Sequence, residues 1–366
     1  MVASAQLRIM GWVALVQLLL CATIAAADVA PFLSEKYLNE LKSEALTWKP
    51  GRNFHASTSL SSINALIGHS ETLQNARAIK GKDGARVFGK SNPAAAKLTP
   101  DSFDSRIQWP FCNQTISRIA DTGFCGSHWA VSVVQSMADR VCIHSGGTRK
   151  EENFSALHLM QCCRVCGQGC DGGYPYQAWK YIESRGVATG GDYGSKKGCK
   201  PYSVESPCNY NLENSGCTAT KQVMLKCPGG NSTRCTNRRF YAEHESTLHK
   251  VMLVSKVPNS DEFTQAWTPE FIKKEIQNNG PVTGTMRVFE DFLSYKSGIY
   301  KPSKNAKKID DLTLRIIGWG KEGYLEYWLA AVPWGPNFGD HGYAKIRVGT
   351  ALLQIDRRIH AATPKL

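Results

Sequence analysis

The chain has 366 residues, and 42% of them are hydrophobic. That is ample for a large buried core and too apolar for a disordered chain. Lysine and arginine outnumber aspartate and glutamate 44 to 31, a formal charge of +13. The excess reads either as a solvated basic surface or as affinity for an acidic partner such as a sulfated glycan. No nucleic-acid partner, cofactor or metal is expected.

The N-terminus opens with Arg8, an apolar run from Met10 to Ala22, and the small residues Ala25-Ala26-Ala27. This pattern is that of a secretory signal peptide over 1–27. A membrane anchor is the alternative, but the Ala-rich last third and the cleavage-type ending favour removal. No second long apolar run follows, so no membrane span is expected in the mature chain.

Leu33, Tyr37, Leu38 and Leu41 recur at helical spacing, which predicts a short helix that Trp48-Lys-Pro-Gly-Arg-Asn-Phe54 ends in a turn. Residues Gly81 to Ala96 are rich in Gly, Lys, Ala and Pro and read as an exposed linker open to proteolysis. Ala130, Val133, Val134, Met137, Ala138 and Val141 predict a buried helix from Trp129. His128 then lies at its N-terminus, where the dipole disfavours an imidazolium, so a neutral ring is expected. Later, Leu312-Thr-Leu314-Arg-Ile316 alternates as a strand and Gly318-Trp-Gly320 reads as its turn. Tyr324–Ala331 and Gly342–Val348 read as further strands. Helices first and strands later suggest a two-lobed α+β protein.

Thirteen cysteines become twelve once Cys21 leaves with the signal. In a secreted chain an even number suggests a disulfide framework. The run from Cys162 to Cys170 could suggest a metal or redox site, but secretion and the lack of a nearby spaced histidine pair favour disulfides. The sequons at Asn113, Asn153 and Asn231 fit the same compartment.

Asp121-Thr-Gly-Phe-Cys-Gly-Ser-His128-Trp-Ala130 resembles the active-site segment of the papain family, with histidine in the place of its nucleophilic cysteine. Further blocks resemble the cathepsin B branch. Pro31 to Phe54 is similar to its short propeptide. Phe103-Asp-Ser-Arg106 with Trp109-Pro-Phe-Cys112 resembles its mature N-terminus, and Cys170-Asp-Gly-Gly-Tyr-Pro175 its glycine loop. Cys199-Lys-Pro-Tyr202 through Cys235 resembles its occluding loop. Gly280-Pro-Val282 and Phe292-Leu-Ser-Tyr-Lys-Ser-Gly298 match later blocks. The resemblance implies a papain-like fold of a helical and a β-barrel-like lobe with a cleft between them. It also implies a propeptide and linker over 28–97, a cathepsin B domain over 98–366 and an insertion over about 199–235.

That family cuts peptides with a cysteine nucleophile, a histidine base, an asparagine that orients the base and a glutamine at the oxyanion. The matching positions here are His128, Leu312, Val332 and Thr122. Neither leucine nor valine can accept or orient a proton, so the resemblance implies a pseudo-peptidase. The occluding-loop histidines that hold a substrate carboxylate are replaced around Tyr210 and Asn211. Arg358 stands where an acidic residue lines the main pocket, and the propeptide's usual cysteine aligns near Ile67. Gly172, Gly173 and Trp334 complete a vestigial cleft. The family pairing implies Cys112–Cys142, Cys125–Cys170, Cys162–Cys227, Cys163–Cys166, Cys199–Cys235 and Cys208–Cys217. The Cys163–Cys166 loop is one residue shorter than usual.

Rebuilt chemistry is the competing reading. Ser127 and His128 are sequence neighbours, which makes a poor nucleophile–base pair, since adjacent helical side chains diverge. His128 with Asp310 or Asp311 would make a metal site without a clear third ligand. His128 is instead expected to be held by a hydrogen bond to Asp310 or to cleft backbone. The partners expected of a secreted or lysosomal monomer are peptide segments or protease inhibitors in the cleft, or acidic glycans on Lys301-Pro-Ser-Lys304-Asn-Ala-Lys307-Lys308. An active cathepsin B-like endopeptidase, and an extracellular-matrix or storage protein, are the alternatives. With all twelve mature cysteines bridged, thiol titration of the denatured, unreduced protein should find none; two reproducible free thiols would mean that a bridge is missing.

Overall fold

The structure is a computed structural model that describes residues 30–68, 99–203, 251–256 and 269–366, with 251–256 described by their backbone alone. The expected signal segment, the linker, most of the occluding-loop-like insertion, Tyr210, Asn211 and the Asn231 sequon lie outside the described residues.

The N-terminal segment is more ordered than its sequence pattern suggests. Pro31–Leu33 form a 3₁₀ turn, and helix α1 spans Glu35–Ser43. The Ser34 side chain caps α1 by accepting from Tyr37 N–H at 3.2 Å. The expected turn at Trp48 is instead a strand, β1 (Trp48–Pro50). Helix α2 (Leu60–Ile67), which periodicity left unassigned, begins at the Ser59 cap and ends at Gly68. Gly68 has φ +78°, a conformation open mainly to glycine.

After the short strand β2 (Phe103–Asp104) come helices α3 (Ser105–Gln108) and α4 (Asn113–Ile116). The expected buried helix is α5, His128–His144, with His128 as its first residue. Helices α6 (Ala156–Cys162) and α7 (Pro175–Arg185) pack with it around Trp129, Val133, Met137, Leu159, Trp179 and Ile182, the helical core.

The second lobe is built on β3 (Val251–Lys256), helix α8 (Pro269–Asn279), β4 (Val282–Phe289), β5 (Tyr295–Tyr300), β6 (Lys308–Glu322), β7 (Leu325–Ala331), β8 (Tyr343–Arg347) and β9 (Ile359–Pro364). The strand order is β1-β5-β8-β7-β6-β4-β9-β3, with β2 also on β6. This path is an open sheet rather than a closed barrel. Among the described strands only β5 and β8 pair in parallel.

Gly318-Trp-Gly320 is not a turn. Strand β6 runs through it, and the chain reverses at Gly323, φ +60°. The two glycines instead allow close approach. A Cβ on Gly318 would sit 2.1 Å from the Phe103 carbonyl oxygen, and one on Gly320 2.4 Å from the Tyr327 hydroxyl.

A polar stripe on α5 joins the lobes. His128, Ser132, Ser136 and Arg140 recur every fourth residue and so share one face. Ser132 Oγ donates to Thr313 O at 2.9 Å, Ser136 Oγ to Pro281 O at 2.7 Å and Arg140 Nε to the same carbonyl at 2.7 Å. Asp139 accepts two bonds from Arg315 Nη1, at 2.7 and 2.9 Å. Every member is buried and partnered, as buried polar groups must be.

The disulfides Cys112–Cys142, Cys125–Cys170 and Cys163–Cys166 are formed, including the bridge with the shortened loop. Cys162 and Cys199 are also disulfide-bonded, with partners outside the described residues.

Strand β1 adds to the sheet edge, pairing Trp48 with Gly298. Trp48 Nε1 donates to Lys301 O at 3.0 Å. Buried Asn53 is the main polar anchor. Its Nδ2 donates to Leu293 O and Tyr295 O at 2.9 and 2.7 Å, and its Oδ1 accepts from Gly339 N–H at 3.1 Å. Replacing Asn53 by Ala should lower stability by about 2–4 kcal/mol, because three buried backbone groups lose their partner. The denaturant midpoint reads this, and a change under about 0.5 kcal/mol would show that the segment is not part of the cooperative unit.

Candidate functional site

The site lies where the first turn of α5 meets β6 and the end of α2. His128 is 4% exposed. Its Nδ1 accepts from the backbone N–H of Thr313 at 3.2 Å. An imidazole nitrogen that accepts carries no proton, so the neutral ring holds its proton on Nε2. That nitrogen lies 2.8 Å from the Ile67 carbonyl oxygen and donates to it. Both ring positions are therefore filled by backbone, and neither remains for Asp310 or Asp311. Of the two expected holders of the ring, backbone is the one present, and half of it comes from the N-terminal segment.

Burial lowers the His128 pKa, while the bond to Ile67 and the charges of Asp310 and Asp311 pull the other way and lose. Asp311 is engaged elsewhere. Its Oδ2 accepts from Arg358 Nη1 at 2.5 Å, and Lys308 Nζ stands 3.5 Å from Oδ1. Burial alone would raise the Asp311 pKa, but Arg358 and Lys308 hold it below the usual carboxylate range. Asp310 Oδ1 accepts from the Asp311 N–H at 2.7 Å.

Leu312 and Val332 are buried at 0% and 1% exposure. They belong to one apolar cluster with Trp334, Phe54, Phe338 and three residues of α2, Ile63, Leu66 and Ile67. Trp334 meets Phe338 edge-on at 4.9 Å and Phe54 at 6.3 Å between ring centres. Thr122 is buried, with its N–H donating to Pro333 O at 3.0 Å and its hydroxyl turned to Gly123 O at 3.3 Å.

The glycine loop touches the N-terminal segment too. A Cβ on Gly68 would lie 3.1 Å from Gly172 N, and one on Gly126 would lie 2.6 Å from Gly68 Cα. Gly173 lies against the Trp129 indole, where a Cβ would come within 2.5 Å of the ring. The space beside His128 is thus filled by this chain's own residues 63–68.

No activated nucleophile is present among the described residues. All eight described cysteines are disulfide-bonded. The Tyr202 hydroxyl donates to Thr122 O at 2.9 Å, so in its 2.6 Å contact with Ser127 Oγ the serine is the donor. The Ser127 proton is directed away from His128, and no Ser–His pair forms. No group of three or more possible metal ligands occurs among the described residues, and no described helix is long and apolar enough to cross a membrane.

The sequon Asn113 is exposed, in α4, with its Oδ1 accepting from Ser117 at 2.9 Å. Asn153 is half-buried, and its amide donates to Glu151 O at 3.2 Å. The lysines 301, 304, 307 and 308 are all exposed. The resemblance places the propeptide's usual cysteine near Ile67, but sequence reasoning missed the bond of Ile67 to His128 and the part played by Gly68. A further signal for the segment was the Ser59 cap followed by Ile63, Leu66 and Ile67, ending at Gly68.

Comparison with known proteins places this geometry. The model of the papain family cysteine protease matches residues 99–363. Over 268 residues the chain is 38% identical to Cathepsin B-like cysteine proteinase 3 of Caenorhabditis elegans, covering 73% of this chain and 66% of that protein. It is 35% identical to proteinase 4 of the same organism, covering 73% and 76%. Among solved structures it is similar to proCathepsin B S9 from Trypanosoma congolense, with TM-score 0.71, 26% identity and coverage of 92% of this chain and 100% of that one. The chain belongs to the papain family of cysteine proteases, and its relatives are cathepsin B-like.

A second buried histidine behaves like His128. His158 Nδ1 accepts from Ala188 N–H at 2.9 Å, and burial, aided by Lys200, lowers its pKa from 6.5 to about 4. The unfolded chain therefore takes up protons that the folded chain refuses. Stability present above pH 6.5 should be lost as pH falls through 6.5 towards 4, by the order of 3 kcal/mol for His158, with His128 adding in the same direction. The thermal midpoint measured from pH 7 to 4 reads this. His158→Asn, which can still accept from Ala188, should flatten the slope; an unchanged slope would assign it to other groups.

Proposed function

We propose that this protein is a catalytically inactive cathepsin B-like scaffold, secreted or lysosomal, that binds rather than cuts. One observation carries the reading: at the first residue of α5 the side chain is a neutral histidine with both ring nitrogens engaged by backbone. Such a ring has neither a free lone pair to attack a carbonyl nor a free site to take a proton. Leu312 and Val332, in the positions of the base and its orienting partner, add apolar bulk where proton transfer needs polar atoms. The four family-equivalent positions Thr122, His128, Leu312 and Val332 are accordingly read as vestigial. Residues 1–27 are read as a signal peptide, 28–97 as a propeptide and linker, and 98–366 as the papain-like domain.

The relatives are named as cysteine proteinases, which supports the alternative of an active peptidase. Against it stands the absence of a free cysteine among the described residues. Outside the cleft, the exposed lysines 301, 304 and 307 form a surface that an acidic glycan could bind. An extracellular-matrix or storage role would be compatible with either form of binding.

Activity assays decide between scaffold and enzyme. The purified protein should leave dipeptide reporter substrates of cathepsin B intact and resist thiol-directed epoxides. His128→Cys alone should stay at the level of the denatured control, since no base faces the new thiol; adding Leu312→His and Val332→Asn supplies the missing groups. Turnover by the unaltered protein, or robust turnover from His128→Cys alone, would overturn the reading.

A further inference from the structure

We propose that residues 30–68 are a permanent part of the folded protein. Residues 67 and 68 lie in the cleft, and in this proposal cutting the chain after them does not release the segment. The inference rests on the reading that the cleft binds rather than cuts, and it names the ligand.

Four kinds of contact hold the segment. The first is the bond from His128 Nε2 to the Ile67 carbonyl, at 2.8 Å. The tautomer is fixed from the other side, because Thr313 N–H must find its acceptor at Nδ1. Without Ile67, a buried Nε2–H would lose its partner. The second is a crossing of glycines. Gly68, at φ +78°, passes between Gly126 and the Cys170–Gly172 loop, with too little room on either side for a larger residue. Its conformation and its surroundings thus both demand glycine.

The third contact is apolar. Ile63, Leu66 and Ile67 are at most 1% exposed and share one core with Leu312, Val332 and Trp334. A polar residue at 312 or 332 would put a hydrogen-bonding group into that shared core, whereas leucine and valine keep it apolar. The residues that cannot transfer a proton therefore also keep apolar the core that α2 shares. The fourth lies at a distance, where β1 extends the sheet edge and Asn53 ties three backbone groups. Releasing the segment would strip the sheet edge and open the core of the β lobe in one step. Multiple anchors on one segment also act together, since each that holds keeps the others at high local concentration.

The test uses the full chain with a recognition sequence for a site-specific protease inserted between Gly81 and Ala96. After cleavage, verified by mass, the protein is diluted to nanomolar concentration at pH 7 and at pH 5 and passed over a sizing column. The N-terminal fragment should co-elute one to one with the remainder at both values. A fragment eluting separately, with the remainder folded or aggregated, would overturn the proposal. A second measurement challenges the cut protein with synthetic, labelled residues 28–68. The natural sequence should exchange in slowly, and one carrying Gly68→Val should compete at least tenfold more weakly, because its side chain meets the Asp171–Gly172 backbone. Equal competition would show that the cleft crossing does not hold the segment. Neither readout involves hydrolysis, so turnover with retention would sink only the inactivity reading, and release without turnover only this one.

Discussion

A buried imidazole has two nitrogens and, when neutral, one proton, so its two hydrogen bonds must be of opposite sense. At His128 the donor partner is Thr313 N–H on β6 and the acceptor partner is Ile67 C=O at the end of α2. The ring therefore joins three elements from distant parts of the chain: the start of α5, the strand bearing Leu312, and the N-terminal segment. A protonated ring would have to point an N–H at the Thr313 N–H, which is repulsive. Burial and the Thr313 N–H act in the same direction, and burial outweighs the pull of the Ile67 carbonyl and the two aspartates.

The same stripe of α5 carries the rest of the interlobe contact. Below His128 come Ser132, Ser136, Asp139 and Arg140, each tied to a backbone carbonyl or to Arg315 of the β lobe. The apolar residues of α5 face the opposite way into the helical core. One helix thus presents an apolar face to its own lobe and a polar, largely partnered face to the other. Buried polar networks of this kind favour a unique arrangement, because a shifted register would strand several groups at once. The cleft geometry near His128 inherits that rigidity.

Much of this was legible in the sequence. The buried helix beginning near His128 and the strand around Leu312 follow from periodicity, and the family resemblance supplies the disulfides that form. The misreadings share a physical cause. Trp48–Pro50 lacks alternation and contains proline and glycine neighbours, yet it pairs as an edge strand, where a proline is tolerated. Gly318 and Gly320 look like turn residues, but they are there because another backbone and a tyrosine press against the strand. Trp48 and Gly318 depend on partners more than two hundred positions away, and Gly320 on a tyrosine of the neighbouring strand, none of which the local pattern encodes. The α5 polar stripe was visible as a four-residue repeat, but the stronger apolar periodicity of the same helix masked it.

The charged residues beside the site show how far its electrostatics depart from proton-transfer chemistry. Asp310 and Asp311 sit just before Leu312, near enough to act on His128 through space. A carboxylate bonded directly to that ring would favour the imidazolium and give a conventional ion pair. Instead Asp311 is held by Arg358 and Lys308, two cations on one carboxylate. Asp310 turns one oxygen back to the Asp311 N–H. The negative charge thus goes to its own neighbours, and the ring is left to two backbone partners in a buried site, where desolvation outweighs the pull of the Ile67 carbonyl towards protonation. A site designed to move protons needs a group poised between two states. Here the His128 ring is fixed in one state by partners on both sides, and the N-terminal segment is one of those partners.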